Sequence, residues 1–143
     1  MNYLVDGYNL IGTMTSICLS DADKELKLRQ FIKQYYSPFN YYYLIFDGNR
    51  DTITVEQYTY TTVIFTTEDQ SADCYMAAFV QQKSGCTSVT NDRYLQKRVR
   101  RHCRQILSAD AFLRLRQRRR EAVSSPVQPY SSEIRWLLGQ FQA

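Results

Sequence analysis

Short apolar runs alternate with amphipathic stretches along this chain. Tyr3 to Val5 is apolar, too short for a helix and closed by Asp6-Gly7, which predicts a buried strand. In residues 20–36 (SDADKELKLRQFIKQYY), Leu28, Phe31, Ile32 and Tyr35 fall at i, i+3, i+4 and i+7, one face of a helix. Ser20 or Asp21 can cap it, and Asp23 and Glu25 suit the positive end of its first turn. YYYLIF reads as a strand ending on Asp47-Gly48 and TTVIF as the next, while the Thr- and Tyr-rich approach between them is assigned to no element. Ser71 is placed to cap a helix with Ala72, Tyr75, Met76, Phe79 and Val80 inward, stopped at Ser84-Gly85. CTSVT is a short strand ending in NDR, followed by a helix that turns Leu95 and Val99 inward. RQIL is a last short strand, and Ser108 caps a helix running through ADAFLRLRQRRREA. The polar connection SSPVQPYSS and the helix EIRWLLGQF complete the chain, with residues 125–143 packed back on the body through Ile134, Trp136, Leu137 and Phe141.

Strands and helices in alternation argue for an α/β fold, a mostly parallel sheet with helices on both faces. The 143 residues suit one domain. No basic leader with an apolar core and no run of membrane-spanning length is present, so the expectation is a soluble, cytoplasmic protein with no membrane partner. The four cysteines form no Cys-x-x-Cys pair and are expected as reduced, mostly buried thiols; His102-Cys103 lacks the second pair that a zinc site needs.

Function enters with the acids. Asp6 follows the first predicted strand, Asp47 the second and Asp92 the fourth, and Asp73 lies in the first turn of the helix after the third. In a parallel sheet all four fall at one edge, the carboxyl edge, where sites form. Singly, each is better explained as a turn or helix-start residue, and Asp47 in DGNRD could close a hairpin. Together they are hard to explain as turns. Two carboxylates ~4 Å apart repel by roughly 4 kcal/mol at an effective dielectric near 20. Protons or cations must offset that, and hard carboxylate oxygens suit Mg²⁺ or Mn²⁺. Acids holding such ions suit phosphodiester hydrolysis.

The pieces LVDGYNLIG, LIFDG, VIFTTEDQSADCYM, SVTNDR and SADAF, in this order, resemble the YacP-like group of the NYN branch of the PIN-like nuclease superfamily. The resemblance runs from the start of the chain to about Phe112 and implies a PIN-like three-layer sandwich. It also implies a divalent-metal-dependent ribonuclease, endonucleolytic in action. On that pattern Asp6, Asp73 and Asp92 are metal ligands and Asp47 is a fourth member of the acidic pocket. Asn9 would orient Asp6 or contact a phosphate, and Thr90 would reach a metal-bound water or a phosphate unless it is an ordinary strand threonine. Two positions depart from the pattern: Cys74 stands where the family often has an acid, and TND replaces the more usual serine before the aspartate.

Charge adds a partner. Arg93 to Arg120 holds eleven Lys or Arg against one acid, Asp110, within a chain of net charge +4. Arg93, Lys97, Arg98, Arg100 and Arg101 are the candidate RNA contacts, with Arg93 next to the metal site. A ribosome or ribonucleoprotein is a further candidate partner; the oligomeric state is open. Strand alternation sends most of the tyrosines to core or sheet cover, so none is nominated as a base platform. GYNLIGT lacks the Lys of a phosphate loop. Two rivals stand beside the nuclease: a non-catalytic RNA-binding module of the same fold, and a phosphatase or nucleotidase using the same acids.

Overall fold

Position 6 closes a strand and position 7 opens a helix, and that junction sets the architecture. The computed structural model describes residues 1–116. In chain order it contains β1 (Asn2–Asp6), α1 (Gly7–Thr13), α2 (Lys24–Tyr35), β2 (Tyr41–Arg50), β3 (Thr54–Tyr58), β4 (Thr61–Thr67), α3 (Ala72–Gln82), β5 (Cys86–Val89), α4 (Arg93–Val99), β6 (Cys103–Leu107) and α5 (Ala109–Arg114). The strands form one sheet in the order β3-β4-β2-β1-β5-β6, parallel throughout except for β3, which runs antiparallel to β4. This is the expected α/β sandwich.

Alternation along the central strands explains the layers. Val5, Leu44, Phe46, Val63 and Val89 turn to one face, where they meet Leu10 and Ile11 of α1, Leu28 and Ile32 of α2 and Phe112 of α5. Leu4, Ile45 and Ile64 turn to the other, against Met76 and Val80 of α3 and Leu95 and Val99 of α4. Each of these fully buried aliphatic side chains contributes about 1.5–3 kcal/mol relative to exposure. Tyr36 stacks on Phe112 at 4.4 Å and donates its hydroxyl to the Phe112 carbonyl at 2.7 Å, which ties the end of α2 to α5.

Several expectations change. Asp47-Gly48 closes no hairpin: β2 runs on to Arg50, with an irregularity after Phe46, and pairs parallel with β4. The hairpin is instead β3–β4, turning through Tyr60 at φ 62°, and it accounts for the unassigned Thr- and Tyr-rich stretch. Helix α1 was not read from the sequence, because seven residues show less than two turns of periodicity. Helix α2 starts at Lys24, so Ser20 and Asp21 do not cap it; Asp21 accepts from the Cys18 amide and Lys27 instead. Cys18 and Cys74 are exposed, Cys103 is half-buried and only Cys86 is buried, so the thiols are free but not mostly buried. Ser71 and Ser108 cap α3 and α5 as expected, and Gly85 leaves α3 at φ +89°. The predicted terminal helix, and the arginines beyond Arg116, lie outside the described residues. No described helix is long and apolar enough to cross a membrane.

Candidate active site

The carboxyl edge gathers the four acids from four separate places in the chain. Asp6 ends β1, pairing in register with Ile45 two residues before Asp47. Asp73 is in the first turn of α3 and Asp92 caps α4. Three of the four acids are oriented by a hydrogen bond of their own. The Asp47 carboxylate accepts the Ala72 amide at 2.7 Å, at the start of α3. One Asp92 oxygen accepts the Tyr94 and Leu95 amides at 2.9 and 3.2 Å. Asp6 accepts the Thr90 hydroxyl at 3.1 Å. The helix-start explanation therefore holds for Asp92, whereas Asp47 closes no turn and instead reaches the start of α3 from a distant segment; both coexist with convergence.

Electrostatic interaction links them pairwise: Asp6 with Asp73 and Asp47, and Asp73 with Asp92 and Asp47. The Asp6 carboxyl is raised to about 6, by burial first and then by the nearby Asp73 and Asp47 charges, which together outweigh the stabilising Thr90 and Asn9 contacts. Asp73 is also raised, first by burial and then by the neighbouring Asp92 charge. The repulsion anticipated from the sequence is thus present as raised proton affinity. As they stand, no three His, Cys, Asp or Glu side chains among the described residues close around a common ion. The donor set is nonetheless all oxygen, and Mg²⁺ binds through one or two carboxylates while keeping several waters. A loosely grouped acid cluster fits that ion, and excludes a thiol-rich zinc centre.

Thr90 and Asn9 act differently from expectation. Thr90 is fully buried, and its hydroxyl both donates to Asp6 and accepts the Asp92 amide at 3.1 Å. It is an orienting bridge between two acids with no capacity directed to a phosphate. The Asn9 side chain accepts the Asn91 amide at 2.9 Å, and Asn91 in turn accepts the Ala109 amide at 2.8 Å. The Asn9 backbone lowers the Asp6 carboxyl slightly, as the smallest of the influences on it. The Asn9 side chain fastens α1 to the β5–α4 loop.

The basic residues divide. Arg93 and Lys97 are exposed, one turn apart on α4, beginning immediately after Asp92. Arg98 leans toward α3: it donates to the Cys74 sulfur at 3.8 Å and its charge acts on Asp73. Arg100 and Arg101 lie in the 3₁₀ turn after α4, beside the start of β5, where the Gly85 amide bonds the His102 carbonyl at 2.9 Å. That is the amino edge of the sheet, about 12 Å down the helix axis from Asp92, so these two are not brought to the acids. Asn91 and Tyr8 were missed as site residues; their contacts join segments far apart in sequence and leave no local signal.

The chain as a whole matches a known group. The sequence profile of the YacP-like NYN domain fits residues 3–139. The chain belongs to that family. It is a nuclease-type family. A crystal structure of a point mutant of Rae1 (YacP) from Bacillus subtilis is similar over 79% of this chain and 72% of that one, with 24% identity and a TM-score of 0.59. A second crystal structure of Rae1 (YacP) from Bacillus subtilis aligns over 99% of this YacP-like chain and 84% of the other, with 20% identity and a TM-score of 0.58. At such identities the likeness speaks for the fold. No curated protein matches the chain.

Proposed function

We propose that this YacP-like NYN protein is a divalent-metal-dependent endoribonuclease. The observation that carries the reading is the mutual electrostatic contact of Asp6, Asp47, Asp73 and Asp92 at the carboxyl edge. Asp6, Asp73 and Asp92 would hold Mg²⁺ or Mn²⁺, which when bound supplies an activated water and offsets charge on the phosphodiester. The chain's own residues do the rest. Thr90 fixes the rotamer of Asp6 and the position of the Asp92 backbone. Asp47 is held against the start of α3, where it adds negative charge that favours cation binding. Arg98, placed between Cys74 and Asp73, offsets part of the Asp73 charge, which supports one resident ion. Arg93 and Lys97 extend the site with exposed positive charge suited to RNA phosphates.

RNA is favoured over a small phosphate ester because that basic helix face would serve no purpose with a mononucleotide. The same face suits a ribonucleoprotein or ribosome-borne RNA as well as a free one, and a cytoplasmic location follows from that substrate. The test is cleavage of a single-stranded RNA by the purified chain with Mn²⁺, beside the Asp6→Asn and Asp73→Asn variants and a chelator control. Loss of cutting in all three, with folded proteins, is the expected result. Calorimetric absence of saturable Mn²⁺ binding would instead favour a non-catalytic RNA-binding module.

A further inference from the structure

Beside the acids, on the α1/α2 face of the sheet, lies a cavity of about 420 Å³ between β2, β3 and α1. Its volume is within the ~300–1,000 Å³ of small-molecule pockets. Tyr8 and Phe65 both line it, and both pack on Phe46, at ring distances of 4.9 and 5.5 Å. Tyr8 is further fixed by its hydroxyl, which donates to Glu25 at 2.5 Å. An immobile aromatic floor of this kind is what an unpaired base stacks on. The wall opposite comes from β3, where the antiparallel register sets Thr54 against Phe65 and Glu56 against Val63. Glu56 accepts the Tyr58 hydroxyl at 2.9 Å on one oxygen, and Tyr58 is held under Arg29 at 3.7 Å, so the carboxylate is oriented as well as exposed. Asp47 and Arg50 also line the cavity.

We infer that this cavity receives the base of the nucleotide next to the scissile phosphate, and that Glu56 selects guanine there. This rests on the endoribonuclease reading, because Asp47 belongs both to the cavity and to the acidic cluster. Guanine presents N1–H and N2–H₂ as adjacent donors to a carboxylate, which is acceptor-only with about four lone-pair sites. Uracil offers one donor flanked by two carbonyls that a carboxylate repels. Arg50 supplies the charge for the adjoining phosphate.

The experiment is equilibrium binding of GMP and UMP to the full chain without divalent ions, followed by NMR of the tyrosine rings, together with end-mapping of a random-sequence RNA cut with Mn²⁺. Both nucleotides carry the same phosphate, so the difference isolates the base. GMP should bind at least tenfold tighter than UMP, in line with one good bidentate contact, and cut sites should carry G at one fixed flanking position. Glu56→Gln, a near-isosteric change at an exposed position on the edge strand, should remove both preferences while the melting temperature holds. Equal binding, no binding of either nucleotide, or a preference that survives Glu56→Gln overturns the assignment. Cutting without base preference sinks the pocket and leaves the nuclease; GMP preference without cutting does the reverse.

Discussion

The Thr90 hydroxyl sits 3.1 Å from the Asp6 carboxylate and also receives the Asp92 amide, so one buried oxygen sets the spacing of two acids that are 86 positions apart in sequence. A hydrogen bond to a charged group contributes about 1.5–3 kcal/mol. Thr90→Val should therefore lower metal affinity and cleavage roughly tenfold to a hundredfold, and move the acid limb of the pH–rate profile upward. Thr90→Ser keeps the hydroxyl and should restore most of both. Equal rates for Val and Ser would remove Thr90 from the positioning of Asp6.

The Asp6 carboxyl gives a pH dependence of stability with a definite sign. Unfolded it titrates near 3.8 and folded near 6, so the folded chain binds this proton more tightly. On this group's account metal-free stability is greatest below about pH 4, declines from pH 4 to 6 and stays low above that. The loss is up to about 3 kcal/mol, at 1.36 kcal/mol per pKa unit. Asp6→Asn should accordingly raise the melting temperature of the metal-free protein at pH 8 and leave it nearly unchanged at pH 4, while abolishing cleavage. Saturating Mn²⁺ at pH 8 should stabilise the parent chain and not this variant.

Salt dependence separates the two groups of basic residues. Each phosphate contact contributes about 0.7 to the slope of log K against log salt for a single strand. The Arg93→Ala/Lys97→Ala pair should reduce that slope by about 1.4 for a short RNA centred on the cut site. The Arg100→Ala/Arg101→Ala pair, at the opposite edge of the sheet, should change it little. Filter binding at several salt concentrations measures both.

The Asn9–Asn91–Ala109 relay makes Asn9 a structural residue. Replacing it by Ala removes this bond from an exposed Asn91 amide that water can then solvate, at a cost of about 0.5–1.5 kcal/mol. Thermal melting should register the loss, and RNA affinity at a temperature well below the transition should be nearly unchanged. A large affinity loss in a fully stable Asn9→Ala protein would return Asn9 to phosphate contact.

The strands of the sheet core were legible because YLV, YYYLIF, TTVIF and CTSVT are apolar runs bounded by turn signals, and Ser71 and Ser108 announce their helices through local chemistry. Sheet order, and so the convergence of the acids, followed from the parallel rule and from nothing else in the residues. What stayed hidden has a common cause. The β3–β4 hairpin turns through a tyrosine at positive φ, which no turn residue signals. The contacts of Thr90, Asn9 and Arg98 join elements through side-chain directions fixed only after packing. Arg100 and Arg101 were grouped with the site by proximity in sequence, yet α4 carries them across the sheet to the other edge.

Four helices start where the acids gather: Asp6 precedes α1, Asp47 bonds the first amide of α3, Asp73 lies in that helix's opening turn and Asp92 caps α4; α5 begins beside them, at the end of β6. The aligned peptide dipoles place partial positive charge at those ends, so the backbone itself tempers the crowding of carboxylates. On the proposed nuclease reading, this arrangement would let the chain fold ahead of its ion, with magnesium or manganese supply governing when it cuts.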